Sequence, residues 1–144
     1  MLSKKAQYAF RALAVLTSEY VKSQTKSPGV EMNPLSIPRI VERAPMSVKF
    51  LEQILAELRR AGLLAARRGP MGGYYLKMAP EDVSLAKVVR LIDGPIAPLK
   101  CVSLNYYEKC DDCTEATCGL RRSMAEVRDA NLEVLNRLSI ADLV

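Results

Sequence analysis

The sequence predicts a mainly α fold of the α+β class: a winged helix-turn-helix with one small β-hairpin, followed by a long C-terminal helix. Three observations predict it. Apolar residues recur at spacings of three and four through residues 3–21 and 47–58, the period of helices with one buried face. Two short extended stretches, LLAARR and YYLKM, flank GPMGG, whose glycines and proline suit a tight turn. Near the C-terminus, Leu120, Met124, Val127, Asn131, Val134 and Leu138 alternate spacings of four and three, a heptad seam.

The first helix is expected from Ser3 to about Val21, with Ser3 as N-cap and Ala9, Leu13, Leu16 and Tyr20 on its apolar face. Lys4 and Lys5 fall in its first turn, where the helix dipole disfavours cations, and no local partner is evident. An external anion such as a DNA phosphate would supply one. Residues 22–34, KSQTKSPGVEMNP, read as a surface loop. Ser36 caps a short second helix, with Pro38 in its first turn, Ile40 and Val41 facing inward, and Ala44-Pro45 ending it. Ser47 caps a third helix with Val48, Leu51, Leu55 and Leu58 as its apolar stripe, and Gly62 stands where a left-handed residue closes a helix. The hairpin comes next. Ser84 then caps a fourth helix through Leu85, Val88, Val89 and Ile92, stopped by Asp93-Gly94-Pro95. The cysteine stretch reads as a loop, and the last helix is expected from about Ala116 to Leu138. Its seam is expected to pair with a second copy as a homodimer, because a lone Asn such as Asn131 on such a seam fixes register and partner number.

Composition narrows the function. The 144 residues contain no histidine, which removes the commonest general base and every Ser-His or Cys-His catalytic pair, and an enzyme is not expected. No apolar run approaches the roughly 18 residues of a membrane span, and MLSKKAQYAF lacks the apolar core of a signal peptide, so a cytoplasmic protein is expected. The net charge of +5 is unevenly spread: residues 1–78 hold 13 Lys/Arg against 5 Asp/Glu, whereas residues 79–144 hold 8 against 11. A basic half joined to a mildly acidic one fits a polyanion-binding region, 1–80, followed by a second functional part, 81–144.

The charge lies where double-stranded DNA would need it. The third helix opens with Ser47, Lys49, Glu52 and Gln53, polar groups opposite its apolar stripe. The N-terminal end of a recognition helix faces base edges in the major groove. There Gln can read adenine, Glu can accept from the cytosine amino group, and Lys can reach guanine or phosphate. Arg67 and Arg68 at the mouth of the hairpin turn suit a minor groove or a phosphate.

Cys101, Cys110, Cys113 and Cys118 lie within 18 residues in the pattern C-x8-C-x2-C-x4-C. In a reducing compartment such a cluster points to a metal or redox site rather than a disulfide framework. Four thiolates satisfy either zinc or a [2Fe–2S] cluster, and four unligated thiols used for redox switching remain a third possibility. Lys100, Lys109 and Arg121 flank the site and favour thiolates.

The stretch SIPRIVERAPMSVKFLEQILAELRRAGLLAARRGPMGGYYL resembles the DNA-binding region of the family of small dimeric bacterial regulators that includes IscR, NsrR and CymR. That family carries a phrase like YLEQIL in its recognition helix and one like RGPGGGY in its wing; here they read Phe50–Leu55 and Arg68–Tyr74. The opening KKAQYAFRALAVL and the closing SIADLV are also similar, so the resemblance spans nearly the whole chain. It implies a homodimeric transcription regulator, with Ser47, Lys49, Glu52 and Arg68 reading bases and Lys4, Lys5 and Tyr8 near the DNA backbone. Met71 departs from the family's middle wing glycine. For the loop, the resemblance implies a [2Fe–2S] cluster held by three cysteines and a variable fourth ligand, either a histidine after the last cysteine or a first-helix carboxylate of the other subunit. Arg121 and Gln7 take those two places here. The extra cysteine of the Cys110–Cys113 pair therefore implies all-cysteine ligation, with Asp111, Asp112 and Glu115 as substitutes for the fourth ligand. The alternatives are zinc or no metal in a thiol-based regulator with the same DNA contacts, and a small redox protein.

Overall fold

The computed structural model describes residues 1–29 and 33–144. Five helices, α1 (Lys4–Lys26), α2 (Ile37–Arg43), α3 (Val48–Arg60), α4 (Leu85–Asp93) and α5 (Gly119–Arg137), accompany an antiparallel hairpin, β1 (Leu64–Arg67) and β2 (Gly73–Leu76). No helix among the described residues is long and apolar enough to cross a membrane.

The long helix α1 is the central element. Ala6, Ala9, Ala12, Leu13, Leu16 and Thr17 are buried along it. Its three alanines let other backbones come close, and it packs on α2, α3, α4, β2 and the C-terminal turn Ile140–Leu143. Against it α3 lays Leu51, Ile54, Leu55 and Leu58, all fully buried. Each such side chain contributes roughly 1.5–3 kcal/mol of burial free energy. Val48, expected in that stripe, is instead 49% exposed. It is the first helical residue, and the buried face begins one turn later, with Ile54 completing the stripe.

Helix α1 runs past Val21 to Lys26, into what the sequence reads as loop; residues 30–32 of that loop lie outside the described residues. Polar residues extend the helix by bonding back to it: Ser23 Oγ donates to the Glu19 carbonyl and Thr25 Oγ1 to the Val21 carbonyl. Lys26 in the last turn suits the negative end of the dipole. Helix α5 starts at Gly119 rather than Ala116, because Glu115–Thr117 forms a 3-10 turn and Cys118 takes the N-cap.

The turn between α3 and β1 uses Gly62 at φ 82°, a conformation that other residues resist. The hairpin pairs Leu64 with Leu76 and Arg67 with Gly73. Leu35, just before α2, adds a third short edge: its N–H donates to the Tyr74 carbonyl at 2.9 Å and its carbonyl accepts from Tyr74 N–H at 2.8 Å. This bridge fixes the wing to the start of the helix-turn-helix.

The C-terminal segment returns to the first half. Ser84 and Ser139 form a bridge, and Leu85 N–H donates to the Leu138 carbonyl at 2.9 Å. Ser139 and Asp142 then make a capping box that places Ile140, fully buried, in the same core as Leu13 and Leu55.

A Cβ added to Gly73 would sit 2.1 Å from the Leu35 carbonyl oxygen. Gly73→Ala should therefore cost about 2–3 kcal/mol and lower the thermal midpoint by several degrees. Gly119→Ala, whose Cβ meets nothing nearer than Arg122 Nη2 at 3.9 Å, should change little. Equal losses in the two variants would contradict the close approach at Gly73.

Candidate nucleic-acid interface and cysteine cavity

On α3, burial of Leu51, Ile54, Leu55 and Leu58 leaves Lys49, Glu52 and Gln53 exposed on the opposite face. Ser47 is exposed at the N-cap, where its Oγ accepts from Phe50 N–H at 3.4 Å. Phe50, half-buried between these residues, meets the edge of Tyr8 from α1 with ring centroids 5.6 Å apart and planes at 81°. Tyr8 in turn carries two cations: Lys4 Nζ lies 5.9 Å and the Arg11 guanidinium 5.7 Å from its ring centroid. Contacts of this kind are worth about 0.5–1 kcal/mol at exposed sites. The polar end of α3 thus adjoins a cationic strip on α1.

Lys5 behaves differently from its neighbour. Its Nζ lies 2.5 Å from Glu57 Oε1 on α3, so the local partner that the sequence did not reveal is Glu57, 52 residues away. The positive end of α1 is served from α4: Ser3 N–H donates to Asp93 Oδ2 at 3.0 Å and Ser3 Oγ donates to Asp93 Oδ1. A carboxylate at a helix N-terminus is stabilising there. Arg11 was missed by the sequence reading. Its signal was the i, i+4, i+7 spacing of Lys4, Tyr8 and Arg11, which puts all three on one face.

In the wing, Arg67 and Arg68 are both exposed. The turn closes through Gly72 N–H to the Gly69 carbonyl at 2.9 Å, and Met71 stands at its tip, 86% exposed. The methionine therefore alters what the wing presents without entering its hydrogen bonding.

All four cysteines are free thiols and line one cavity of about 520 Å³, together with Lys100, Lys109, Asp111, Asp112, Leu120 and Arg121. Cys101 is buried in the 3-10 turn Lys100–Val102, and the other three are partly exposed. Cys118 caps α5, and its Sγ accepts from Arg121 N–H at 3.5 Å, which draws its pKa below the ordinary thiol value. Hydrogen bonding to Cys110, with desolvation and a further bond to Cys118, pushes the Cys113 thiol up to about 12. Glu115 faces elsewhere: its carboxylate accepts from Tyr107 Oη at 2.7 Å and from Cys110 N–H at 3.4 Å, and it does not line the cavity. It braces the loop, leaving Glu108, Asp111 and Asp112 as the carboxylates on the cavity wall, of which Glu108 is paired with Lys100 at 2.9 Å.

The residues fit an anionic, sulfur-ligated group. The donor set is four thiols on one cavity wall, and Arg121 Nε is buried there without a hydrogen-bond partner among the described residues. Among the described residues the side chains are not drawn together as a preformed metal site.

Comparison with known proteins is consistent across sequence and structure. A family model described as Rrf2, an iron-dependent transcriptional regulator, matches residues 2–144. An rrf2-like HTH-type transcriptional regulator of Rhodobacter capsulatus is 43% identical over all of this chain and 92% of its own. The HTH-type transcriptional regulator CymR of Bacillus subtilis is 33% identical over 76% of this chain and 72% of its own. Among solved structures, CymR of B. subtilis, titled the global cysteine regulator, superposes with TM-score 0.76 at 28% identity, covering 99% of this chain and 95% of that one. IscR of T. potens superposes with TM-score 0.71 at 26% identity, covering 99% and 85%.

Proposed function

The chain belongs to the Rrf2 family of transcriptional regulators, and from that premise we propose that it acts as a homodimeric, sequence-specific DNA-binding regulator whose cysteine loop holds a [2Fe–2S] cluster. The observation that carries the DNA reading is the exposed polar face of α3, Ser47, Lys49, Glu52 and Gln53, beside the cationic strip on α1. Lys49, Glu52 and Gln53 reach base edges, Arg68 and Arg67 enter an adjoining groove, and Lys4 anchors the backbone.

The dimer is supported by α5. Leu120, Val127 and Val134 are 60%, 41% and 43% exposed, an apolar stripe that a second α5 would cover, with Asn131 also exposed on it. Met124 and Leu138, the other two apolar residues of the heptad seam, are partly covered already within one chain. A groove of about 820 Å³ beside the stripe, lined by Leu2, Ile96, Pro98, Val127, Asn131 and Val134, extends the surface available to the partner.

Cys101, Cys110, Cys113 and Cys118 would hold the cluster, which would supply a group sensitive to iron supply and oxidation. The chain's own residues connect that loop to the DNA face. Arg128 of α5 donates from Nη1 to the Val102 carbonyl at 2.7 Å, next to Cys101, which ties the first turn of the loop to α5. Asp93, at the loop's other approach, caps α1. Regulation follows if the occupied loop favours one spacing of the two winged helices over another. A zinc- or thiol-based regulator with the same DNA contacts is the second reading, favoured by the four free thiols that share one cavity.

Replacing Glu52 or Lys49 by Ala should alter which bases are tolerated, by about 1–3 kcal/mol per lost contact, as measured by binding to a randomised duplex library. Unchanged base preference in both variants would remove α3 from the groove. Protein purified without oxygen should contain iron and acid-labile sulfide in equal amounts, and Cys101→Ala and Cys118→Ala should each abolish the visible charge-transfer bands. Colourless protein carrying zinc and no sulfide would overturn the cluster and establish the second reading.

A further inference from the structure

We propose that Arg11 is a phosphate anchor of the DNA interface, and that Lys5 is not one but a brace between α1 and α3; the proposal rests on the DNA-binding reading above. Lys4 and Arg11 flank the Tyr8 ring on the exposed side of α1, at 5.9 and 5.7 Å from its centroid. The ring is wedged edge-on against Phe50, in the first turn of α3, immediately after Lys49. Tyr8 therefore spaces two cations along α1 and ties them to the end of α3 that carries Ser47, Lys49, Glu52 and Gln53.

Charge pairing separates Lys4, Lys5 and Arg11, the three cations nearest the start of α1. Both Lys4 and Arg11 are exposed, and among the described residues neither pairs with a carboxylate. Lys5 is paired with Glu57 at 2.5 Å, and the two side chains are only 30% and 26% exposed. An unpaired exposed cation carries no internal counter-charge, so meeting a phosphate releases the phosphate's condensed counterion at full effect. Lys5 would first have to give up Glu57, which would leave a half-buried carboxylate unpaired beside the incoming polyanion. Arginine at position 11 also adds what lysine lacks: a planar fork that bonds a phosphate through two N–H groups while lying against an aromatic face.

The test is the salt dependence of binding to a selected duplex by the full-length protein and by Arg11→Gln, Arg11→Lys, Lys4→Gln and Lys5→Gln. Glutamine keeps helix propensity, and Arg11 is exposed, so folding should be preserved, as circular dichroism would verify. Arg11→Gln should lower the magnitude of the log K against log salt slope by about 0.9, the value for one phosphate contact, and weaken selected and random duplexes by the same factor. Lys4→Gln should do likewise, and Arg11→Lys should keep the slope. Lys5→Gln should keep the slope and instead lower thermal stability. An unchanged slope in Arg11→Gln, with Lys4→Gln reduced, would overturn the role of Arg11 alone. A reduced slope in Lys5→Gln would overturn its assignment as a brace. Wild-type binding with no salt dependence would overturn the DNA reading and this inference with it.

Discussion

Close packing along α1 is the constraint on which the rest depends. Ala6, Ala9 and Ala12 are fully buried, and α3, α4, β2 and the C-terminal turn all pack on α1 with little side-chain bulk at these positions. Interiors packed at this density do not deform smoothly. In the proposed regulator a displacement of α4 would reach α3 both through α1 and through the direct contact of the two helices. The polar contacts follow the same geometry: Asp93 of α4 holds the first residue before α1, and two residues later Lys5 holds Glu57 of α3. Both are contacts of α1, and both lie at the end nearest the polar face of α3.

The cysteine loop is attached to this body at two places. It leaves α4 just after Asp93, and its first turn is held from behind by Arg128 of α5. Its last cysteine is the N-cap of α5 itself, with Sγ taking the amide of Arg121. A ligand on Cys118 therefore acts directly on the start of the helix whose outer stripe is free to meet a second copy. In the proposed regulator, cluster, dimer and DNA face would form one series, through which the loop would act on the groove contact.

Much of this was legible in the sequence, for reasons that differ by element. Ser3, Ser47 and Ser84 were recognisable as caps because a hydroxyl before an apolar period can accept from the first turn, and each accepts the expected backbone amide, whereas Ser36 holds the N-cap position without a side-chain bond. The wing was readable from GPMGG, since Gly72 and Gly73 tolerate no Cβ in a turn pressed against Arg67 and Leu35. The missed features are long-range or depend on which face is covered. Glu57 could not be matched to Lys5 across 52 residues, nor Asp93 to Ser3 across 90, because periodicity carries no information about which helices meet. Val48 fits the stripe by spacing and fails it because the partner surface ends first. The four cysteines were obvious from composition, but the diversion of Glu115 to Tyr107 and to the Cys110 amide required the folded loop.

In the proposed dimer, two winged helices joined through the exposed stripe of α5 read DNA as a two-fold unit. Hydroxyl-radical footprinting of the protein on a duplex selected from a random library tests it most directly. The account predicts two protected patches related by two-fold symmetry, with centres separated by about 34 Å or a multiple of it. A single protected patch with no symmetry mate, unaltered by replacing Val127 and Val134 with charged residues, would contradict it.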